Sequence, residues 1–437
     1  MNTGEALAWL DAHVNLESLG VPAGESRRAS HPTLDRMQAL VELLGSPQVE
    51  YGVIHVTGTN GKTSTTRLAT DLLVAQGVST GSYTSPHLQR VNERITWDGE
   101  EISDEVLAEL LTVIALIEPH LPAAPSYFEI LTGAAFRLFA DVAAEAAVVE
   151  VGVGGRWDAT NVADAQIAVV TNVSVDHVEY LGPTREAIAA EKAGIVKPGS
   201  TLVLGETDPA LVPTFLERGA EQILMRDRDF GVSSNVLAHG GRLVSLFTPL
   251  ARYDDVFLSL HGAHQADNAA AALTAVECVV GRALSAELVL EVLGTARSPG
   301  RLEVVGNQPL VLLDGAHNVA GARSLVTALA DEFPPSPRNL VVGLLREKDP
   351  NEMLDALDVT AAARVVCCRP PSPRARDPYE VAKAALDLGV DPERVEAVEA
   401  VADAVEHAVE VAGPDEQVVV TGSLYVVGAA RAVLVGR

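Results

Sequence analysis

The sequence predicts an α/β protein in which helices pack against a largely parallel β-sheet. Short apolar runs alternate with helical patterns along the chain, an order typical of βαβ units. The 437 residues are 48% hydrophobic but only 4% aromatic, so the apolar residues are mainly Ala, Val and Leu, as in sheets buried on both faces. A chain of this length is long for one domain, and we expect two or three.

The elements follow one another in two alternating blocks. In the first block, helical patterns separate the buried runs, and from about Asp229 to Gly262 the pattern becomes strand-like. The stretch "ARSPGR" (296–301) is a short polar hinge, and a second, smaller α/β block follows it. We therefore predict one domain of residues 1–298 and another of residues 299–437. The buried strands predicted in the first block are 52–56, 146–153, 167–173 and 201–205.

The charge of the chain excludes some partners. The formal net charge is −27, from 32 basic and 59 acidic residues, and such a surface repels nucleic acids and anionic membranes. The N-terminus is acidic where a signal peptide is basic, no apolar stretch reaches membrane-spanning length, and the three cysteines lack C-x-x-C spacing. We expect a cytoplasmic protein without nucleic-acid or membrane partners, in which any phosphate site needs local N–H groups, cations or metal.

The stretch "HVTGTNGKTSTTRLAT" (55–70) resembles a phosphate-binding loop between a strand and a helix. The common pattern is G-x-x-x-x-G-K-[ST], and here Val56 stands where its first glycine is usual. The glycines and the helix N-terminus would turn backbone N–H groups towards phosphate oxygens, Lys62 would add a charge, and Thr63 or Ser64 would offer a hydroxyl to a metal ion. The alternative is a structural turn.

Polar residues also follow or interrupt other predicted strands. Ser85 follows a strand at the sheet edge where ligands bind, although a surface Ser-Pro turn explains it equally well. Glu150 lies within an apolar strand and needs a partner, either a hard cation such as Mg²⁺ or the nearby Arg156. His177 follows the next strand, and Lys192 lies farther on among alanines; the alternative for Lys192 is a solvated side chain.

A series of motifs extends from about residue 20 to residue 430. In order they are "GTNGKTS", "YTSPHL" with "NERI", "YFE", "EVGVGGRWDATN", "DHVEYLGPTREAIAAEKAGI", "HQADN", "PGRLEV", "LDGAHN" and "TGSLYVVG". Together they resemble the folylpolyglutamate synthase/dihydrofolate synthase family of the Mur ligase superfamily. In that superfamily the loop reads G-T-N-G-K-[GT]-[ST], so Val56 agrees with the resemblance.

The resemblance implies a fold and a reaction. The fold is a P-loop ATPase domain with a parallel-rich sheet plus a smaller Rossmann-like C-terminal domain. The reaction is an ATP-dependent amide ligation, in which a pteroate or folate carboxylate takes the γ-phosphoryl group and the amine of L-glutamate then displaces phosphate. The resemblance also implies Mg²⁺, a carbamylated lysine and small-molecule substrates, and we expect a monomer.

Carried over motif by motif, the resemblance implies roles for individual residues. The nucleotide would contact Gly58, Thr59, Asn60, Gly61, Lys62, Thr63, Ser64, Asn268, Arg301 and Asp314. The metal ligands would be Ser85, Glu150, His177 and Lys192, the last as its carbamate. The pterin side of the substrate would contact Ser126, Tyr127, Phe128, Glu129, Trp157, Asp158 and Ala159. The catalytic residues would be Lys62, Lys192, His177, Arg94, His317 and Ser423.

Some positions depart from the family pattern, and two other functions stay open. Trp157 stands where an aliphatic residue or Tyr is more usual, and Val319 stands where Pro is common, which leaves the fine substrate preference open. One alternative function is another amide ligase of the Mur superfamily with a different acceptor. The other is a nucleotide-dependent switch ATPase that forms no new bond. ADP release that depends on pteroate and glutamate would distinguish a ligase from a switch.

Overall fold

The computed structural model describes residues 1–19 and 33–435, and the chain forms two compact units. The predicted division into residues 1–298 and 299–437 stays a prediction, and residues 20–32 and 436–437 of those domains lie outside the described residues. The first unit comprises Met1–His87, Val91–Ser259 and His264–Ala296; the second comprises Leu88–Arg90, Leu260–Ala263 and Arg297–Arg437.

An eight-stranded sheet lies in the first unit. Its strands are β1 (Gly52–Thr57), β2 (Thr80–Tyr83), β3 (Ile95–Trp97), β4 (Glu100–Glu101), β5 (Ala146–Glu150), β6 (Ile167–Val170), β7 (Thr201–Leu204) and β8 (Gln222–Met225). They lie in the order β4-β3-β2-β5-β1-β6-β7-β8, and only the pairings of β3 with β2 and with β4 are antiparallel. The carboxyl ends of β2, β5, β1 and β6 therefore lie side by side at one edge.

Two predicted strands end earlier than the sequence suggested. The strand predicted over 146–153 stops at Glu150, and the one predicted over 167–173 stops at Val170. Beyond Glu150 the chain bends at Gly152 and turns through further glycines, of which Gly154 has a left-handed φ of +76°. The polar residues after these strands are thus on loops at the sheet edge.

Helices cover this sheet, and a small antiparallel sheet follows it in the chain. Helix α4 begins directly after the β1 loop and packs against α10 and α11, in agreement with the predicted βαβ pattern. The helices are α1 (Thr3–Asp11), α2 (Leu16–Leu19), α3 (Asp35–Leu43), α4 (Lys62–Ala75), α5 (Asp104–Ile117), α6 (Tyr127–Asp141), α7 (Val178–Leu181), α8 (Arg185–Lys192), α9 (Val212–Leu216), α10 (His264–Val280) and α11 (Ala286–Thr295). The small sheet has the order β11-β10-β9, with β9 (Gly231–Ala238), β10 (Gly241–Phe247) and β11 (Arg252–Leu258).

The second unit is a smaller α/β structure around a six-stranded sheet. Its strands are β12 (Glu303–Asn307), β13 (Leu310–Leu313), β14 (Arg338–Val342), β15 (Arg364–Arg369), β16 (Val395–Ala400) and β17 (Gln417–Thr421). The order is β12-β13-β17-β14-β15-β16, and only β12 pairs antiparallel. Its helices are α12 (Val319–Glu332), α13 (Pro350–Ala356), α14 (Pro378–Asp387), α15 (Val401–Val411) and α16 (Leu424–Leu434). Within residues 1–19 and 33–435, no helix is long and apolar enough to cross a membrane.

Candidate active site

The loop that joins β1 to α4 requires glycine at two positions. A Cβ atom added at Gly58 would lie 1.8 Å from the hydroxyl oxygen of Thr171, and Gly61 has a left-handed φ of +85°. Lys62 is the first residue of α4 and folds back over the loop. Its Nζ donates to the carbonyl oxygens of Gly58 at 3.2 Å and of Thr59 at 3.4 Å. The loop thus combines a tight turn, a helix N-terminus and a lysine charge, as a phosphate site requires.

The segment after β6 holds this loop in place through a contact that none of the sequence motifs indicated. Asn172 Oδ1 accepts the backbone N–H of Asn60 at 3.0 Å, and Asn172 Nδ2 donates to the Asn60 carbonyl at 2.9 Å. The Thr171 hydroxyl donates to the same carbonyl at 2.6 Å. The position of this Thr-Asn pair, directly after the strand that neighbours β1, was the signal that could have revealed it.

Asn268, on α10, lies against the same loop. A Cβ atom added to Gly61 would lie 2.4 Å from Asn268 Oδ1, so the amide group approaches the loop backbone closely. Asn268 Nδ2 donates to Gln265 Oε1 at 2.9 Å, and both side chains are buried. The fold therefore brings this predicted nucleotide residue to the predicted phosphate loop.

Glu150 is a buried carboxylate at the end of β5, and its side chain is 1% exposed. Its Oε1 accepts the Thr63 hydroxyl at 3.0 Å, and its Oε2 accepts the backbone N–H of Ser85 at 3.3 Å. The guanidinium of Arg156 instead lies over the Trp157 ring, 5.9 Å from its centroid. Carboxylate and hydroxyl oxygens from Glu150, Thr63 and Ser85 are the ligand atoms that Mg²⁺ prefers, so these residues fit a magnesium ion.

A pocket beside the loop brings together Lys62, Asp176, His177 and Lys192. Lys192 is the last residue of α8 and is only 3% exposed, so the interpretation of a solvated lysine was wrong. Burial, and then the positive charge of Lys62, lowers the pKa of Lys192 well below its usual value. A buried amine that loses its proton readily is a nucleophile, which is the property that carbamate formation needs.

His177 directly precedes α7 as its N-cap residue, in a conformation that is uncommon for a residue other than glycine. Its φ is +49°, and its backbone N–H donates to Asp176 Oδ1 at 2.8 Å. The ring Nε2 lies 3.9 Å from Asp176 Oδ2, and the side chain is 32% exposed. Backbone conformations of this kind cluster at functional sites because the surrounding structure must hold them.

The residues predicted for the pterin side include a helix cap. The backbone N–H of Glu129 donates to Ser126 Oγ at 3.3 Å, and the backbone N–H of Ser126 donates to Glu129 Oε2 at 2.7 Å, which is a capping box at the start of α6. Glu129 also forms an ion pair with Arg36 at 3.1 Å. The Phe128 ring lies 5.9 Å from that of Tyr83. Ser126 and Glu129 therefore have a structural task, and their contact with substrate stays a prediction.

The loop after β5 presents one aromatic side chain to solvent. Trp157 is 43% exposed, whereas the next two residues, Asp158 and Ala159, are each 8% exposed. Asp158 Oδ2 accepts the backbone N–H of Val153 at 3.1 Å, and Oδ1 accepts that of Thr160 at 3.1 Å. Asp158 thus fixes the loop and leaves the indole of Trp157 exposed.

Arg94 lies in a buried ion pair and is 2% exposed. Its two Nη atoms donate to the carboxylate of Glu17 at 3.0 and 2.5 Å, and its Nε donates to His87 Nδ1 at 2.9 Å. The guanidinium carbon lies 5.5 Å from the centroid of the Tyr127 ring. Burial, and then the charge of Arg94, lowers the pKa of His87 to about 4. None of the sequence motifs indicated these partners, and a catalytic role of Arg94 stays a prediction.

In the second unit, Asp314 follows β13. Its Oδ2 accepts the backbone N–H of Leu302 and its Oδ1 accepts that of Ala316, both at 2.9 Å. Burial raises the pKa of Asp314, and the charge of Arg301 opposes that rise. The two residues predicted to contact the nucleotide from this unit thus lie within electrostatic reach of each other.

The two catalytic residues predicted in the second unit lie at loop and helix ends. His317 Nδ1 lies 2.8 Å from the carbonyl oxygen of Gly315, to which Arg301 Nη1 donates at 3.5 Å. Ser423 is 1% exposed and caps α16, because its Oγ accepts the backbone N–H of Val426 at 3.3 Å. His317 and Arg301 therefore share one carbonyl, whereas Ser423 has a capping task.

Known proteins match this chain over most of its length. Residues 56–276 match the model of the Mur ligase middle domain, and residues 300–424 match that of the Mur ligase glutamate ligase domain. A dihydrofolate synthase/folylpolyglutamate synthase from Mycobacterium tuberculosis is 40% identical, over 93% of this chain and 90% of its own. One from Bacillus subtilis is 33% identical, over 92% and 94%. The chain belongs to the folylpolyglutamate synthase/dihydrofolate synthase family of Mur ligases.

Solved structures of this family agree with the fold. Folylpolyglutamate synthase from Mycobacterium tuberculosis, complexed with ADP and AMPPCP, has a TM-score of 0.87 and 39% identity, covering 94% of this chain and 98% of that one. Escherichia coli FolC, in complex with DHPP and ADP, has a TM-score of 0.85 and 27% identity, covering 100% and 98%. The resemblance read from the motifs and the α/β fold are thus confirmed. As a folylpolyglutamate synthase/dihydrofolate synthase family member, the chain is an ATP-dependent ligase.

Proposed function

We propose that this ligase joins L-glutamate to dihydropteroate, to reduced folates, or to both. A carboxylate oxygen of the pteroate or folate attacks the γ-phosphorus of ATP, and the bond to the β-phosphate oxygen breaks to give an acyl phosphate and ADP. The glutamate amine then attacks the acyl carbon, the bond to phosphate breaks, and the amine loses a proton. The names of the relatives support these substrates. The observation that carries the proposal is the pocket in which Lys62 of the phosphate loop faces Asp176, His177 and Lys192.

The proposal includes magnesium, and the residues at the ends of β5 and β2 would hold it. Glu150 and Ser85 are buried side by side, and Thr63 contributes a hydroxyl to the same carboxylate. Bound Mg²⁺ would neutralise charge on the transferring phosphoryl group. The N–H groups of the loop and Lys62 would orient the phosphates, which is the main contribution that a protein makes to phosphoryl transfer.

Lys192 is proposed to carry a carbamate. The ammonium group first loses one proton; the neutral Nζ then attacks the carbon of CO₂, an N–C bond forms as one C–O π bond opens, and a second proton leaves, so that a cation has become an anion. His177 and this carbamate would hold a second metal ion. The burial of Lys192 and its lowered pKa support the proposal, because only the neutral amine reacts.

The remaining predicted residues complete the proposal. Trp157, with Tyr127 and Phe128, would offer aromatic surface to the pterin, and Asn268, Arg301 and Asp314 would contact the nucleotide. The enzyme would be a cytoplasmic monomer with its domains divided near residue 299. Light scattering on purified protein would test the monomer, since a dimer mass at micromolar concentration would contradict it.

A ligation assay tests the proposed function. Purified protein is supplied with Mg-ATP, labelled L-glutamate, and either dihydropteroate or tetrahydrofolate, while ADP and the amide product are measured. We expect ADP and a glutamylated product in equal amounts, and ADP release that depends on the pteroate or folate. ATP turnover at the same rate without an acceptor, and no amide product, would support the switch ATPase instead.

A further inference from the structure

A buried histidine stands in the middle of the strand that leads into the phosphate loop. His55 is 0% exposed on β1, between β5 and β6, and its strand neighbours Ile54 and Val56 are apolar and fully buried. Burial, and then the charge of Lys197, lowers the pKa of His55 to about 3, so the ring is neutral at physiological pH. An apolar side chain would suit this position better unless the imidazole serves a contact.

The contact that His55 makes leads to the loop after β5. His55 Nε2 lies 2.8 Å from Thr160 Oγ1, and the Thr160 hydroxyl donates to Asp158 Oδ1 at 2.5 Å. Asp158 accepts two backbone N–H groups besides this hydroxyl, one of them from Val153. Asp158 is therefore the acceptor at the end of a chain of hydrogen bonds that starts at β1.

The protons of this chain can be assigned. The single Thr160 hydroxyl proton goes to Asp158, so Thr160 Oγ1 must accept from His55, and the ring proton must lie on Nε2. His55 Nδ1 then carries only a lone pair. Nδ1 is buried, and no described residue offers it a hydrogen bond, which agrees with the Nε2–H tautomer.

We propose that His55 is a positioning residue that holds Asp158, and through it the loop segment of Trp157, in the conformation that receives the pterin side of the substrate. The inference rests on the proposed function. The phosphate side of the same loop has its own anchor, because the Thr57 hydroxyl donates to the Gly154 carbonyl at 2.7 Å. Loss of the His55 contact should therefore weaken the binding of the pteroate more than the binding of ATP.

Substitutions of His55 test whether its contact affects the binding of the pteroate more than the binding of ATP. For His55→Leu, we expect the KM for dihydropteroate to rise about fivefold to tenfold, the size of effect expected from one lost hydrogen bond, while the KM for ATP stays within about twofold. The melting temperature should stay the same or rise, because a polar group leaves the core. His55→Gln, whose amide N–H can reach the same oxygen, should recover most of the affinity.

Substitutions of Thr160 provide a second test of the same hydrogen bonds, and Thr274 provides a matched control. Thr160→Val keeps the shape but removes the hydroxyl and should raise the same KM at least about tenfold, because the lost bond is to a charged group, and Thr160→Ser should not. The double variant His55→Leu/Thr160→Val should be no worse than Thr160→Val alone, since the two residues act through one contact. Thr274 is the control: it is also 0% exposed, its hydroxyl donates only to the Ala270 carbonyl, and Thr274→Val should leave both KM values unchanged.

The outcomes separate this inference from the proposed function. If the wild-type enzyme forms no amide, the proposed function fails. If the wild type is active but His55→Leu raises both KM values together or only lowers the melting temperature, His55 is a structural residue and the inference is wrong. NMR of protein labelled with ¹⁵N-histidine gives a further check, in which a proton on Nδ1 instead of Nε2 would overturn the direction of the hydrogen bonds.

Discussion

Lys192→Ala tests the chemistry proposed for the pocket. The side chain is 3% exposed and lines the pocket together with Lys62, Asp176 and His177, so its removal takes the proposed carbamate away from the pocket beside the phosphate loop. Loss of one group that stabilises the transition state typically costs about 10²–10³ in rate, or roughly 3–4 kcal/mol. We expect kcat to fall by this factor and the fold to persist, because a shortened side chain at the end of α8 leaves its helix intact.

The position of the lysine favours the proposed carbamate at Lys192 over one on an ordinary, exposed lysine. With the usual pKa of about 10.4, only about one amine in 800 is neutral at pH 7.5, and each unit by which the pKa falls multiplies that fraction by about ten. Burial and the charge of Lys62 both lower the pKa of Lys192. Exposed Lys383 on α14 lacks such burial, so Lys383→Ala is the matched control and should keep full activity.

Amide formation is measured with added acid and in CO₂-depleted buffer, and the carbamate itself is detected by NMR. Acetate or another short-chain acid should partly restore Lys192→Ala, because it supplies the missing carboxylate oxygens. CO₂-depleted buffer should lower wild-type activity reversibly, and ¹³CO₂ should give a carbamate NMR signal that is absent from the variant. A fully active Lys192→Ala enzyme would refute the reasoning, as would wild-type activity that does not respond to CO₂ together with a variant that does not respond to acetate.

Three further changes test the phosphate loop and the two histidines His55 and His87. Lys62→Ala should nearly abolish turnover, by about 10²–10³, with an unchanged circular dichroism spectrum, and activity within about threefold of wild type would mean that the loop is a structural turn. Gly61→Ala should destabilise the protein by about 1–3 kcal/mol and weaken ATP binding, because φ is +85° and the new Cβ atom would lie 2.4 Å from Asn268 Oδ1; an unchanged urea midpoint would contradict this. His55 and His87 have pKa values lowered to about 3 and about 4 in the folded state, so the unfolded state binds protons first as pH falls below about 6.5. At pH 5 each histidine should therefore lower the free energy of unfolding by about 2 kcal/mol. The melting temperature of the wild type should fall as the pH is lowered, and that of His55→Leu should fall less. Equal dependence of the two melting temperatures on pH would exclude the contribution of His55.

The parts of the site that the sequence predicted are those that local patterns specify. A buried run followed by glycines and a lysine predicts a strand, a turn and a helix, and the structure has β1, the loop at Gly58 and α4 in that order. Parallel strands place their carboxyl ends at one edge, so the neighbourhood of Glu150 and Lys62 follows from the βαβ pattern. These inferences need only the order of the elements along the chain.

The parts that the sequence did not predict depend on side chains that meet across long stretches of chain. The contact of Asn172 with Asn60 joins positions 112 residues apart, and that of Arg94 with Glu17 joins positions 77 residues apart. Neither contact joins two residues of the same motif, so no local pattern indicates it. Burial is equally non-local. Lys192 on α8 looks like a surface residue among alanines, yet it is 3% exposed and lines a pocket together with residues of the loops after β5 and β6.

The net negative charge of the chain does not conflict with a phosphate ligand, because the first is a property of the whole surface and the second depends on a few local groups. The net charge of −27 is a property of the whole surface, and its long-range repulsion acts on other large polyanions. The phosphate loop draws instead on neutral groups: backbone N–H groups at a helix N-terminus, fixed by Asn172 and by the close approach of Asn268. Lys62 adds one charge, and a buried Lys192 that gives up its proton avoids two like charges beside each other. Conversion of Lys192 to a carbamate would instead add a negative charge to the pocket. The proposed carbamate therefore requires a metal ion at His177, and the carbamate and the metal ion must be tested together.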